Sequence, residues 1–375
     1  MSAFAAGTEV SCGGRGSGSE RIDNLMAKKA DLSAVKQMQT SFDRLRAEIG
    51  KVIVGQDEVV EQLLIAIFAR GHCIIEGVPG LAKTLLIRTL ADCLRLDFSR
   101  IQFTPDLMPT DITGTEVIHE SAGGKKREFR FLKGPVFANV ILADEINRTP
   151  PKTQAALLES MQEGQVTVGG KRNPLPDPFF VLATQNPIEQ EGTYPLPEAQ
   201  QDRFLFKIYI KYPTRDEEYD IIRQTTEEDT APVRAVFSKK AITDVQEIVR
   251  RVPIADPVVN YAMNLVRKTR IDGAPDEKVP KFVKEYVAWG AGPRACQCLV
   301  TAGKAKALLA GRFHVAVEDI DAVAHPVLRH RILTNFHAEA RGYTVDKIID
   351  ELIKTTPAED SEALGDGEVR KVLRS

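Results

Sequence analysis

Long apolar runs are missing from this sequence, and so are paired cysteines and a charge excess of one sign. No apolar stretch approaches the roughly 20 residues of a membrane-spanning helix, so we expect no membrane insertion. The five cysteines form no Cys-x-x-Cys pair, and no histidine stands at zinc-finger spacing from them. Lysine plus arginine (50) nearly balance aspartate plus glutamate (52), which makes nucleic acid an unlikely partner on bulk charge alone.

The cysteines are explained as reduced thiols. Cys73 and Cys93 lie in apolar stretches typical of a protein core, and the Cys296-Gln297-Cys298 run is too isolated to form a metal site. Residues 1–20 are rich in Gly, Ser and Ala, but lack the basic start and apolar stretch of a secretion signal. We therefore predict a cytoplasmic protein.

The chain is long enough for two domains. Its 375 residues exceed the size at which one core usually stops growing, and 43% apolar with 27% charged residues is ordinary globular usage. We predict a flexible segment over residues 1–32, an α/β core over 33–213, a linker and smaller all-helical domain over 214–354, and a flexible tail over 355–375.

Five short apolar runs in the first domain predict the strands of a parallel sheet. Three of them end in polar residues that carry chemistry: a Gly-rich turn, an acidic pair, and an Asn-Pro sequence. Ligands of open α/β sheets collect at the carboxyl ends of the strands, so these segments are expected to meet. The runs cover residues 72–75, 98–103, 140–143, 179–183 and 205–210.

The Gly-rich turn after the first strand predicts a phosphate-binding loop. Its backbone N–H groups and the following helix N-terminus suit phosphate oxygens, Lys83 supplies a positive charge, and the Thr84 hydroxyl is a ligand for Mg²⁺. The predicted ATP-binding residues are Gly77, Val78, Pro79, Gly80, Leu81, Ala82, Lys83 and Thr84. Ala82 stands where the general pattern has Gly, which costs little if its φ is negative.

Two adjacent acids end the third strand. Asp144 is predicted to bind Mg²⁺, and Glu145 to activate the attacking water as general base. Helix capping alone is the alternative for such a pair, but the nearby phosphate-binding loop favours the ATP site.

Five further residues are assigned to the site. Asn186, at the end of the fourth strand, can orient water or contact the γ-phosphate, although an Asn-Pro turn explains it equally well. Arg203 and Arg294 are candidates for stabilising charge in the transition state, against the alternative of surface ion pairs. Gly55 and Gln56, in the turn between the first two predicted helices, are added as nucleotide-binding residues.

These motifs resemble the MoxR branch of the AAA+ superfamily. The matching runs occur in family order and extend the similarity over roughly residues 42–353; even Ala82 is similar to what that branch carries. The runs are 77–84 (GVPGLAKT), 103–109 (FTPDLMP), 144–148 (DEINR), 183–187 (ATQNP) and 202–204 (DRF).

The resemblance implies a P-loop AAA+ core with a five-stranded parallel sheet, followed by a smaller all-helical lid. It implies that Lys83 and Thr84 are Walker A residues, Asp144 and Glu145 the Walker B pair, and Asn186 sensor 1. Arg203 would be the arginine finger and Arg294 sensor 2. It further implies ATP and Mg²⁺ as cofactors, a ring of identical subunits that is usually a hexamer, and chaperone-like remodelling of a client. A protein with a von Willebrand factor A domain is an expected partner; the client, and which of Arg148, Arg203 and Arg294 acts in trans, stay open.

Two stretches resemble hairpin insertions of the wider clade. Residues 116–131 alternate around Gly123-Gly124, which predicts a hairpin inserted in the helix after the second strand, and residues 165–172 predict another before the fourth. We expect both to project toward a ring pore. The basic residues of the first insertion, Lys125, Lys126, Arg127 and Arg130, are more simply explained as a solvated face.

The sequence offers three alternative functions. A nucleic-acid motor is disfavoured by the near-neutral charge and by the lack of a helix-turn-helix or zinc module. A nucleotide-binding switch without hydrolysis is disfavoured by Glu145, since a general base is useful only where water is activated. A subunit resembling the magnesium-chelatase ATPase stays open.

Overall fold

Five parallel strands form the main sheet of the computed structural model, which describes residues 38–120, 127–187, 192–226, 232–271 and 279–358. Each strand overlaps one predicted from the sequence, with ends shifted by two residues or fewer. Their order in the sheet is β2-β5-β8-β1-β9. The strands are β1 (Cys73–Glu76), β2 (Phe98–Gln102), β5 (Val140–Asp144), β8 (Phe180–Gln185) and β9 (Phe206–Tyr209).

The register brings the three chemistry-bearing strand ends side by side. β8 lies between β5 and β1, with Ala143 opposite Ala183 and Ile75 opposite Thr184. Because all three strands run parallel, the turn after β1, the acids after β5 and the polar end of β8 emerge at one edge of the sheet.

Side chains alternate between two apolar clusters on the two faces of the sheet. Ile75 and Leu142 point into one cluster, and their neighbours Ile74 and Ile141 point into the other. The strands are therefore buried on both faces, which is why they read as continuous apolar runs. Cys73 and Cys93 are buried in the first cluster, as predicted.

Helices cover both faces of the core. α2, α3 and the helix α1 over residues 38–49 pack on the first face, and α5 packs on the second. The remaining bounds are α2 (Asp57–Phe68), α3 (Lys83–Cys93), α4 (Pro109–Thr113), the 3-10 turn η1 (Ile146–Arg148), α5 (Pro151–Glu163) and α6 (Glu198–Gln201).

Two antiparallel hairpins leave the core. The first, β3 (Gly114–Glu120) with β4 (Arg127–Lys133), follows the five-residue α4. In the described residues no helix resumes between β4 and β5, so this hairpin follows a helix rather than interrupting one, and that part of the prediction was wrong. Its turn, with Gly123, Gly124, Lys125 and Lys126, lies outside the described residues. The second hairpin, β6 (Gln165–Val168) with β7 (Lys171–Pro174), matches its prediction.

The second domain is helical, with one short antiparallel pair that the sequence did not predict. That pair, β10 (Val287–Trp289) with β11 (Leu333–Thr334), joins two segments far apart in the chain. Pro326 lies inside a helix that continues through it. The helices are α7 (Arg215–Thr226), α8 (Lys239–Arg251), α9 (Asp256–Arg267), α10 (Lys281–Tyr286), α11 (Pro293–Leu309), α12 (Val317–Leu328), α13 (Phe336–Ala340) and α14 (Val345–Thr355).

The helical domain shares its apolar cluster with the first face of the sheet. Polar contacts reinforce the packing: buried Gln246 donates its side-chain amide to the carbonyl of Ile67 at 2.8 Å, and Lys306 pairs with Glu61 at 2.8 Å. This continuous core holds the lid and the sheet together. Across the described ranges, no helix is both long and apolar enough to cross a membrane.

Candidate nucleotide site

The turn between β1 and α3 has the geometry of a phosphate cradle. Gly80 adopts a φ of +86°, and α3 begins at Lys83 without a side chain capping its first turn. The first N–H groups of that helix therefore face the cavity with no capping acceptor, at the positive end of the helix dipole. An anion such as a triphosphate fits this position.

The backbone conformation of Ala82 differs from the one expected from the sequence. A negative φ was the condition under which Ala costs little, but the structure places Ala82 at φ +52° and ψ +25°, in the left-handed region. A side chain there costs about 1–2 kcal/mol relative to glycine. The tight entry into α3 demands this conformation, which explains why the general pattern has Gly here.

Lys83 turns its ammonium back over the loop. The Nζ donates to the carbonyl of Gly77 and is half-buried. Burial lowers the pKa of Lys83, while the carboxylates of Asp144, Glu145 and Glu76 act in the opposite direction. The ammonium thus lies between the loop and the two acids, where a phosphate would be held.

Asp144 is held by two strands. Thr184, buried on β8, donates its hydroxyl to Asp144 Oδ1 at 2.6 Å, and Arg100 on β2 donates from Nη2 to Oδ2 at 2.7 Å. The same Thr184 hydroxyl accepts the backbone N–H of Glu145 at 2.8 Å. One hydroxyl therefore fixes both acids relative to β8.

Glu145 lies in a strained turn directly after β5. Its φ of +57° is unusual for a residue with a side chain. Gln102 donates to Oε2 at 2.8 Å and Arg148 at 3.0 Å. Backbone strain of this kind is common at functional sites, because the surrounding contacts must hold it in place.

One cavity of about 490 Å³ collects most of the predicted residues. Its lining combines the second half of the phosphate loop with both acids and the end of β8, and it adds Arg100 and Thr184, which the sequence did not single out. The lining residues are Pro79, Gly80, Leu81, Ala82, Lys83, Thr84, Leu85, Arg100, Asp144, Glu145, Thr184 and Asn186.

The donor set fits a magnesium nucleotide. Thr84 offers a hydroxyl oxygen and Asp144 a carboxylate, which are the hard ligands that Mg²⁺ takes together with phosphate oxygens and water. Lys83 and the uncapped N-terminus of α3 supply the positive charge for the phosphates. The residues present therefore suit both Mg²⁺ and a triphosphate.

Arg203 and Arg294 lie elsewhere, in a second cleft between the core and α11. That cleft is also lined by His72, Met161 and Cys298, and it shares no lining residue with the nucleotide cavity. Both arginines are exposed. Arg203 donates to the carbonyl of Leu158 at 3.2 Å, and Arg294 lies 3.4 Å from Asp202.

Gly55 and Gln56 are also outside the cavity lining. Gly55 has a φ of +66°, which favours glycine, and a Cβ there would displace the carboxyl end of the Glu217 side chain of α7. The Oε1 of Gln56 is buried and has no hydrogen-bond partner among the described residues. An unsatisfied buried acceptor is costly, so a donor group supplied by a ligand would suit it.

Comparisons with known proteins agree with this geometry. Residues 72–206 match the model of the "ATPase family associated with various cellular activities (AAA)", and residues 281–352 match that of the AAA lid domain. The chain is 44% identical to Chaperone MoxR1 of Mycobacterium tuberculosis, over 84% of this chain and 81% of the relative. This chain belongs to the MoxR family of AAA+ ATPases.

Other members and one solved structure support the family assignment. Protein MoxR of Methylorubrum extorquens is 33% identical over 84% of this chain and 94% of its own length. A crystal structure from Cytophaga hutchinsonii, described as that of a candidate ATPase, is 42% identical with a TM-score of 0.80. It covers 89% of this chain and 98% of its own. Family membership implies nucleotide binding with Mg²⁺, in line with the cavity.

Proposed function

We propose that this MoxR-family protein binds ATP with Mg²⁺ in the cavity and hydrolyses it. Lys83 and the first turn of α3 hold the phosphates, while Thr84 and Asp144 hold the metal. Bound Mg²⁺ neutralises charge on the phosphate oxygens. Glu145 accepts the proton of the attacking water, and Asn186 orients that water or the γ-phosphate.

The contacts of Glu145 support its role as general base. Its carboxylate is at the cavity wall, anchored by Gln102 and by Arg148, with the backbone fixed through Thr184. Such preorganisation limits the motion needed before proton transfer. Arg148 therefore works on Glu145 of its own subunit in this proposal.

Arg203 and Arg294 act on a neighbouring subunit. The observation that carries this is their position: both are exposed in a cleft that shares no lining residue with the nucleotide cavity of their own chain. An arginine that completes a phosphoryl-transfer site from outside is worth about 10³ to 10⁵ in rate. This arrangement requires a ring of identical subunits, and we propose a hexamer.

The energy of hydrolysis serves chaperone-like remodelling of a protein client. The name of the Mycobacterium tuberculosis relative, a chaperone, supports this class of function. The two hairpins project toward the ring pore, and a von Willebrand factor A domain protein is the partner we propose. A cytoplasmic location is in keeping with the four free cysteines of the described ranges.

Mixing two inactive variants tests the shared site. Glu145→Gln keeps its arginines but lacks the base, whereas Arg203→Ala keeps the base but offers no arginine to its neighbour. An equimolar mixture should hydrolyse ATP well above the sum of the separate variants, because some interfaces combine an intact base with an intact arginine. A mixture no more active than its components would refute action in trans.

The partner is tested by affinity capture. Glu145→Gln with ATP should hold the loaded ring, and a von Willebrand factor A domain protein should be retained from extract of the source cell, with Lys83→Ala as the control that cannot load. Equal recovery with both variants, or recovery of nucleic acid alone, would contradict the proposed partner.

A further inference from the structure

Arg331 of the lid makes several hydrogen bonds to the core, and every core acceptor it uses belongs to the segment that carries Arg203. Its side chain is only 2% exposed. It donates to Asp202 Oδ1 at 2.7 Å and to the carbonyls of Asp202 (3.0 Å), Phe204 (2.7 Å) and Leu205 (3.2 Å). The guanidinium is therefore hydrogen-bonded to the chain on both sides of Arg203.

Two more lid residues join the same segment. His330 contacts the carbonyl of Phe204 at 3.0 Å, and Arg294 pairs with Asp202 at 3.4 Å. Within the described residues, the Arg203 side chain itself has one hydrogen bond to the core, to the carbonyl of Leu158. The carbonyls and the carboxylate around Arg203 are therefore bonded from the lid, whereas the N–H groups of this segment bond within the core: that of Arg203 to the carbonyl of Gln200 at 3.2 Å and that of Leu205 to the carbonyl of His72 at 2.8 Å.

We infer that Arg331 is a positioning residue for Arg203, which transmits the position of the lid in one subunit to the nucleotide site of its neighbour. This inference rests on the proposed function, in which Arg203 acts in trans. A planar guanidinium with five donors can bind three backbone carbonyls and a carboxylate together, whereas an ammonium cannot reproduce that fork. A displacement of about 1 Å at a catalytic group can cost about 10²-fold in rate.

The test depends on which subunit of the mixture carries the Arg331→Lys change. In the mixture described above, Glu145→Gln is the donor of Arg203 and Arg203→Ala is the acceptor. Adding Arg331→Lys to the donor should lower the recovered ATPase rate by about 10²-fold. Adding it to the acceptor should leave the recovered rate intact, because that subunit has no Arg203 to position.

Two further variants separate positioning from general damage to the fold. Asp202→Asn, which keeps the shape but removes the charge that Arg331 binds, should show the same loss in the donor only. Arg329→Lys is the matched control: Arg329 is also a largely buried lid arginine, but it pairs with Asp346 and meets the core at the carbonyl of Lys207, outside the 202–205 segment. In the donor, Arg329→Lys should leave recovery unchanged.

The outcomes distinguish the inference from the proposed function. Equal losses with Arg331→Lys in donor and acceptor, or no loss in the donor, would overturn the role of Arg331 while leaving action in trans intact. No recovery in the unmodified mixture would overturn both. Each donor should bind a fluorescent ATP analogue as tightly as Glu145→Gln alone and should unfold in a single cooperative transition, at a melting temperature lowered by the buried bonds that the substitution removes. A donor that fails to fold would lose both the binding and the transition.

Discussion

The hydroxyl of Thr184 is expected to hold Asp144 and Glu145 in place. Replacing this hydroxyl with a methyl group tests that role directly. Thr184→Val keeps the shape of a side chain that is 1% exposed, so no cavity is created. The change removes the bond to Asp144 and leaves the N–H of Glu145 without its acceptor.

The expected magnitude follows from those two contacts. A hydrogen bond to a charged group contributes about 1.5–3 kcal/mol, and an unsatisfied buried donor costs about 1–3 kcal/mol. Allowing for relaxation, the free energy of unfolding should fall by about 3 kcal/mol. Because Asp144 loses a positioning contact, the Mg²⁺ concentration for half-maximal ATPase should rise by about tenfold, equivalent to about 1.4 kcal/mol.

Urea denaturation and Mg²⁺ titration of the ATPase measure both effects. Thr184→Ser keeps the hydroxyl and should restore Mg²⁺ dependence close to the original. Thr153→Val removes an equally buried hydroxyl that bonds only to the carbonyl of Leu107, so it should cost about 1 kcal/mol of stability and leave the Mg²⁺ dependence unchanged. Identical Mg²⁺ curves for the two Val variants would refute this reasoning.

Two further predictions concern stability. Ala82→Gly should raise the free energy of unfolding by about 1 kcal/mol, because it removes the strain of a left-handed alanine. Ala155→Gly, on the exposed face of α5, is the control and should lower it by about 1 kcal/mol. Denaturation curves in which both variants are more stable, or both less stable, than the original protein would contradict this. Burial lowers the pKa of His72 from 6.5 to about 4, so the unfolded state binds more protons between those values and stability is lost as the pH falls through that window. Because of this residue, the free energy of unfolding should be about 2 kcal/mol lower at pH 5 than at pH 6.5. If His72→Asn leaves the dependence of that free energy on pH unaltered, another group is responsible.

The sequence predicted the sheet well because its strands are buried on both faces. Continuous apolar runs such as residues 140–143 leave little choice of structure, and the polar ends of three of them marked the site. The strand order was not predictable from those runs. The positions of Arg100 and Gln102 beside the acids follow from β2 pairing with β5, and only that pairing makes them part of the site.

Other features depended on tertiary context. The left-handed conformation of Ala82 is imposed by the entry into α3, and local propensity alone favours a negative φ. Arg331 reads as one more basic residue in a helical domain, because its acceptors in the core are more than 100 residues away in sequence. The role of Thr184 could have been predicted in part from the sequence, because a polar residue at the buried end of a strand needs a hydrogen-bond partner. The domain bounds stay a prediction.

The most direct test of the account measures nucleotide binding and phosphate release on the same preparations. With Mg²⁺ present, the original protein should bind and hydrolyse ATP, Glu145→Gln should bind with similar affinity but release phosphate at least about 10²-fold more slowly, and Lys83→Ala should bind weakly. Failure of the original protein to bind ATP with Mg²⁺, or hydrolysis by Glu145→Gln at the original rate, would contradict the assignment of this cavity.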